Sequence, residues 1–222
     1  MPVAASDYLD AIAHLPSGAV LRFDDVPWEE YEQLLTDLGA GYAVRIFYDN
    51  GRMEIMAPSI PHEGAKNIIN RLVNGIADEL DIDIESLGST TFRSQWRAKG
   101  AEPDDCFYVQ NALAVIGKHE TFDIERDPPP DIVVENERTS ASLDKFAIYA
   151  ALGVPEIWRE HKNNVRFFVL TADSYVESSH SRAFPFLNSA ALSKFLAQGF
   201  AEGSREAARA FRAWVREHRP GA

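Results

Sequence analysis

A chain of 222 residues, 45% of them apolar and 11% aromatic, can bury a sizeable core in one domain, and it shows no internal repeat or low-complexity segment. Its net charge of −12 argues against a surface that holds polyanions by charge alone; a nucleic-acid function would need a local basic patch, a bound metal or a second factor. Cys106 is the only cysteine, no signal peptide is evident, and no apolar run approaches the ~18 residues of a membrane span, which predicts a reducing, cytoplasmic setting.

Residues 6–15 read as a short helix, and Pro27-Trp28-Glu29-Glu30 opens a second that runs to about Leu38, where Gly39 and Gly41 end it. Strand patterns at 42–48 and 52–57 are joined by Asp49-Asn50-Gly51, a hairpin signal. Ala65, Ile68, Ile69, Leu72, Val73, Ile76 and Leu80 then keep the helical period and predict a helix over 61–80. Ser59 suits its cap and Pro61 its first turn.

Strand candidates follow near 82–87, 90–97 and 102–109. Residues 110–128 are of mixed character, and Pro128-Pro129-Pro130 stiffens the entry to a strand at 131–136. A helix over 140–152 places Leu143, Phe146, Ala147 and Ala150 on one face, with Gly153 as terminator. Ile157-Trp158 begins a strand that Asn163-Asn164 turns into 165–170. The tail reads as two helices, Ser189 to Ala197 and 203–217. This order predicts a mixed α/β domain with helices packed on a sheet.

Two acidic stations stand out. Glu102-Pro103-Asp104 leads into Asp105-Cys106-Phe107-Tyr108-Val109, and Pro130-Asp131 leads into Ile132-Val133-Val134-Glu135. Pro-Asp before a strand is an ordinary turn element, which is a sufficient account of Asp104 or Asp131 alone. Glu135 is harder to dismiss, because an acid emerging from a buried strand needs a partner, a metal or solvent. Lys145, ten residues on, sits on a helical pattern that brings it toward the same sheet edge. Asp104 and Glu135 suit Mg²⁺, with Mn²⁺ as an alternative, and Lys145 would offset charge on a phosphorane, which together suit phosphodiester hydrolysis. Asp131 is left a structural or supporting role.

His62-Glu63 opens the long helix, where an acid is favourable in any case; Glu63 is also a candidate metal or water ligand, and His62 a proton carrier. Arg93, Arg97 and Lys99, interleaved with Phe92 and Trp96, are the candidate phosphate contacts, with Lys66 and Arg71 as additions; an amphipathic solvent-facing strand explains the same pattern. The other histidines show no metal-ligand spacing. Neither a GxSxG nor a glycine-rich phosphate loop is present.

Taken in order, Gly51 through Pro58, His62-Glu63, Glu102-Pro103-Asp104, Pro130 through Glu135, Leu143-Asp144-Lys145, Tyr149 and Gly153-Val154-Pro155-Glu156-Ile157-Trp158 resemble the PD-(D/E)XK nuclease superfamily. Within it they resemble a large bacterial family of restriction-endonuclease-like proteins that is abundant in cyanobacteria and was first known only as a domain of unknown function. The resemblance covers about residues 20–170. It implies a restriction-endonuclease-like α/β fold with a central mixed β-sheet flanked by helices. Helical extensions at both ends, the C-terminal one about 186–219, complete a single domain over 1–222.

By this resemblance Asp104 is the motif aspartate and Glu135 the motif glutamate. The lysine usually two residues beyond that glutamate is replaced by Glu137, and Lys145 takes its place from the following helix. Phe47 stands where many relatives carry a glutamate before the glycine of the first hairpin, and Glu63 is the expected substitute. The implied activity is a Mg²⁺-dependent endodeoxyribonuclease acting on DNA. A homodimer, the commonest symmetric assembly, is expected on general grounds and would allow two-strand cleavage. The acidity and the displaced lysine leave open a catalytically weak or inactive nuclease-fold binding or regulatory protein. A metal enzyme acting on another phosphoester is a third reading.

Overall fold

The computed structural model describes residues 5–39, 42–118, 122–136 and 143–221. Expectations for Gly41, Glu137 and the first turn of the 140–152 helix fall outside the described residues.

The N-terminal part comprises α1 (Ala5–Ala13), β1 (Val20–Phe23), α2 (Trp28–Leu38), β2 (Arg45–Asp49), β3 (Arg52–Met56) and α3 (Ile60–Leu80). Asn50 and Gly51, both at positive φ, turn β2 tightly into β3, as two-residue hairpins of this hand require. Next come β4 (Glu85–Ser86), β5 (Phe92–Ser94), β6 (Lys99–Ala101), β7 (Asp105–Tyr108), α4 (Ala112–Val115), β8 (Ile132–Asn136) and α5 (Lys145–Leu152). The chain closes with β9 (Glu156–His161), β10 (Asn164–Thr171), β11 (Ser174–Ser178), α6 (Ser189–Glu202) and α7 (Ser204–His218). No described helix is long and apolar enough to cross a membrane.

The described strands form two sheets. One has the order β1-β3-β2-β6-β5 and is antiparallel throughout. The other, β11-β10-β9-β8-β7-β4, is mixed, because β8 and β9 run parallel with α5 as the crossover between them. Together with the flanking helices this is the restriction-endonuclease-like α/β fold.

Three apolar layers hold it together. Tyr31, Leu34, Ile46, Tyr48, Met53 and Ile55 join α2 to the outer face of the first sheet. Phe47, Phe92 and Ala101, on its inner face, meet Val133, Ile148, Tyr149 and Ile157 of the second sheet and α5. The opposite face of the second sheet packs Ile132, Val134, Trp158 and Phe167 against α3, α6 and α7. Strands alternate their side chains between faces, so consecutive residues of β8 serve different layers, and that alternation positions the site.

The sequence reading passed over β1, β6 and β11. β11 is an edge strand with mostly exposed positions, so it lacks the apolar alternation that betrays a strand. β6 is three residues around Gly100, and a Cβ there would lie 2.2 Å from the Tyr31 hydroxyl of α2. Close approach of a ring to the backbone, which only glycine permits, replaced the usual signal.

Glu156 anchors the far end of the second sheet. Fully buried, it accepts from Trp158 Nε1 (2.8 Å), Ser181 Oγ (3.1 Å) and Ala183 N (2.9 Å). Glu156→Ala would strand these donors without an acceptor, and a loss of about 3 kcal/mol or more is expected in urea unfolding. A midpoint unchanged from the parent protein would refute that role.

Candidate active site

Where the two sheets meet over α5, the structure brings together Asp104, Glu135 and Lys145. Val133 and Glu135 of β8 point toward α5, while Ile132 and Val134 point to the α3 layer. Asp104 N donates to Val134 O (3.1 Å), and Asp104 Oδ2 accepts from Asn136 N (2.7 Å), so the aspartate is clamped to the end of β8 on both sides. The next residue, Asp105, faces the other way, to Asn70 of α3 and Ser86 (both 3.0 Å).

Asp144 starts α5 by accepting from Phe146 N (3.1 Å) and Ala147 N (3.3 Å), an ordinary N-cap. That start makes Lys145 the first helical residue, one turn before Tyr149 on the same face. Lys145 Nζ reaches Glu135 Oε2 at 2.6 Å, and the Tyr149 hydroxyl donates to Glu135 Oε1. The ammonium also lies 3.9 Å from the centroid of the Phe47 ring, a cation–π contact across the sheet boundary.

Burial raises the Glu135 carboxyl above its ordinary range; Lys145 opposes the rise and Asp104 adds to it. For Lys145, burial alone would lower the amine, but Glu135, Asp104 and Glu54 outweigh it and hold the ammonium above the usual lysine value. The lysine is therefore a fixed positive charge at neutral pH. Burial, then Glu135, raises Tyr149 well above the phenol range, so its hydroxyl remains a donor.

Glu54 is the residue the sequence reading missed. It is 2% exposed, its Oε2 lies 3.5 Å from Arg22 Nε and 3.4 Å from Leu143 N, and its charge acts on Lys145. The hairpin register puts Glu54 directly opposite Phe47. A tight turn at Asn50-Gly51 already dictates that pairing, so the signal was present: an acid across the hairpin from the position where the family glutamate was sought.

The remaining candidates make other contacts. Glu63 pairs with Arg45 (3.5 Å), and its side chain is 45% exposed. His62 is buried, its Nδ1 is 2.7 Å from Ser59 Oγ at the start of α3, and its Nε2 has no hydrogen-bond partner among the described residues. Glu102 accepts from Ile46 N (2.8 Å), Thr91 Oγ1 (2.6 Å) and the Tyr42 hydroxyl, stitching the first sheet to the strand entry. Asp131 accepts from Val109 N (2.7 Å), Asn111 N (3.0 Å) and Asn111 Nδ2 (2.9 Å), which is a turn-building role. Arg93 pairs with Glu32 (3.2 Å), Arg97 with Glu125 (3.4 Å) and Lys99 with Asp49. Each predicted phosphate contact thus has an acid beside it. Lys66 acts on Asp105, on the far side of the sheet from Glu135, and Arg71 donates to Ser204 Oγ (3.2 Å).

Comparison with known families returns a match over residues 28–204 to Uma2, described as "Putative restriction endonuclease". The chain belongs to the Uma2 family. The match takes in every residue of the Asp104–Glu135–Lys145 cluster and Glu54, and it ends where α7 begins. No curated protein matches the chain.

PD-(D/E)XK-like nucleases usually use divalent metals, so the donor set matters. Among the described residues no group of three His, Cys, Asp or Glu side chains is arranged to hold a metal ion. A closed all-protein cage is therefore not what these residues build. Mg²⁺ needs less, since it keeps several waters and takes one or two carboxylates. Asp104 and Glu135 are two buried, hard oxygen donors, and the Asp104 charge acts on Glu135. That chemistry fits a water-rich Mg²⁺ or Mn²⁺, though Lys145 and Tyr149 already occupy one lone pair on each Glu135 oxygen.

Proposed function

We propose that this Uma2 protein is a metal-dependent endodeoxyribonuclease. The observation that carries the reading is the 2.6 Å contact between Lys145 on α5 and Glu135 on β8, with Asp104 clamped to the same strand end. It supports a PD-(D/E)XK-type site whose lysine arrives from the helix rather than the strand.

Asp104 and Glu135 would hold Mg²⁺, which when bound acidifies an attacking water and polarises the scissile phosphate. Lys145 supplies a desolvated positive charge against which negative charge on the phosphoryl oxygens can develop. Tyr149 and Lys145 grip opposite oxygens of Glu135 and fix its carboxylate plane. Glu54 adds a third negative charge that keeps Lys145 protonated. Phe47 excludes water from the lysine's other side.

The test is cleavage of plasmid DNA, linear duplex, single-stranded DNA and RNA with Mg²⁺ or Mn²⁺, run beside Glu135→Gln. Metal-dependent DNA cutting that the variant loses is expected. Equal cutting by parent and variant would overturn the assignment. A second reading, a nuclease-fold binding protein without activity, is favoured by one feature: both Glu135 oxygens already have internal donors. It requires calorimetry to show no heat of Mg²⁺ or Mn²⁺ binding.

The two candidate third acids are separable. Glu54→Gln is expected to lower turnover roughly 10- to 100-fold, because it removes a charge acting directly on Lys145 in a dry site. Glu63→Gln, at an exposed ion pair, is expected to stay within about two-fold. The reverse ranking would return the role to the helix acid.

A further inference from the structure

The acidity of the chain is not uniform. Residues 204–222 contain five arginines and two glutamates, a net of +3, so the remaining 203 residues carry −15. The arginines, at 205, 209, 212, 216 and 219, recur every three or four residues, which is one face of a helix. α7 takes that form: Ala207, Ala208, Phe211 and Val215 are buried against the core, Arg205, Arg209, Arg212 and Arg216 lie off that face, and Arg219 follows just past the helix end.

Between α7 and α3 runs a groove of about 540 Å³ lined by Arg71, Arg205, Arg209, Arg212 and Arg216. Gly75 of α3 makes room for it, since a Cβ there would lie 3.2 Å from Arg212 Cγ. Glu79 organises one end by accepting from Arg212 Nε (2.6 Å) and Arg216 NH1 (2.7 Å), and Asp78 accepts from Arg212 NH1 (3.1 Å). Arg209 pairs with Glu206, and Arg71 donates to the neutral Ser204 hydroxyl (3.2 Å), with no acid paired to it among the described residues. Positive charge therefore remains in excess along the groove.

We infer that the α3–α7 groove is a docking site for the phosphate backbone of duplex DNA, separate from the Asp104–Glu135–Lys145 centre. Guanidinium groups match phosphate geometry with paired donors and are weakly hydrated, which suits an anion track. From Arg205 to Arg216 the helix rises about 16 Å, at 1.5 Å per residue. That length covers about five base-pair steps of a DNA strand at 3.4 Å each. The groove lies on the face of the second sheet opposite α5, so it would hold DNA beside the enzyme and not at the reacting phosphate. It also answers how a protein with a charge of −12 gathers a polyanion. The inference rests on the nuclease reading only for the choice of DNA as the polyanion.

The experiment is anisotropy of a fluorescein-labelled 20-base-pair duplex with the full chain, in EDTA, from 50 to 200 mM salt. The variant Arg71→Gln/Arg205→Gln/Arg209→Gln leaves the Glu79 clamp intact, and its fold is checked by circular dichroism. At 50 mM salt its affinity is expected to fall at least about ten-fold, with the slope of log K against log salt reduced by about 2 to 3, since each lost phosphate contact contributes ~0.9. Arg93→Gln/Arg97→Gln should bind like the parent. Parental affinity and slope in the triple variant would overturn the inference, as would occupation of the groove by poly-glutamate with no duplex binding. The two readings fail differently. Binding lost in the triple variant, with no cleavage by the parent in either metal, sinks the nuclease reading alone. Cleavage by the parent with unaltered binding in the triple variant sinks the groove alone.

Discussion

Glu135→Gln is expected to reduce metal-dependent DNA cleavage about 1,000-fold or more, the scale of losing a metal-holding or charge-stabilising group at a transition state. The amide is the informative replacement. Its oxygen can still accept from Lys145, and the Tyr149 hydroxyl, now donating to Glu135, can rotate to accept from the amide nitrogen. The buried cluster therefore stays satisfied while one negative charge disappears. Glu135→Ala would confuse the result, because it leaves Lys145 as a buried cation without its nearest partner. The readouts are single-turnover cleavage and thermal melting. A melting point close to the parent's together with lost cleavage is expected; retained cleavage would remove Glu135 from the chemistry.

Lys145→Met should be the next most severe change, and for two separable reasons. Turnover is expected to fall about 100- to 1,000-fold, because a fixed charge in a dry site has no replacement there. Stability is expected to fall by about 3 kcal/mol or more, since removing one partner of a buried pair strands the other. The lysine is not among the metal-holding oxygens, so the Mg²⁺ concentration giving half-maximal rate should move far less than the rate itself. Metal titrations of cleavage check this, and a loss of rate that excess Mg²⁺ restores would show that Lys145 acts through metal binding. In the double variant Glu135→Gln/Lys145→Met the stability losses should not add, because the two side chains share one interaction.

The ordering of these effects reflects how the site is built. Lys145 contacts one carboxylate, Glu135 on β8, and feels the charge of two more on separate strands or strand entries, Asp104 before β7 and Glu54 on β3. A lysine carried two residues beyond the glutamate would reach the same point by strand alternation alone. Here the cap at Asp144 does the equivalent work, since it decides which residue begins α5 and hence which way Lys145 points.

Much of this was legible in the sequence. The periodicity of α3, the hairpin at Asn50-Gly51, the strand ending in Glu135 and the helix terminated by Gly153 are local signals, and each element formed within a few residues of its expected place. The acids of the two stations could also be named, because a carboxylate at the edge of a β-prone run is unusual in itself. What local pattern could not supply was a ranking among them. Glu102, Asp104, Asp105, Asp131 and Glu135 are all buried, yet Glu102, Asp105 and Asp131 spend both oxygens on backbone amides, hydroxyls and amide side chains, whereas Asp104 gives one oxygen to Asn136 N and Glu135 holds Lys145.

Local pattern set the elements, carried the family resemblance and marked Asp104, Glu135 and Lys145 as candidates, because strand alternation and helical period follow from covalent geometry within a few residues. Tertiary structure alone decided the rest. It brought the charge of Glu54 to act on Lys145, because the first sheet packs against α5 through Phe47. It placed an acid beside each of Arg93, Arg97 and Lys99 across distant segments. And it gathered Arg71 with the arginines of α7 into one groove, although more than a hundred residues separate them along the chain.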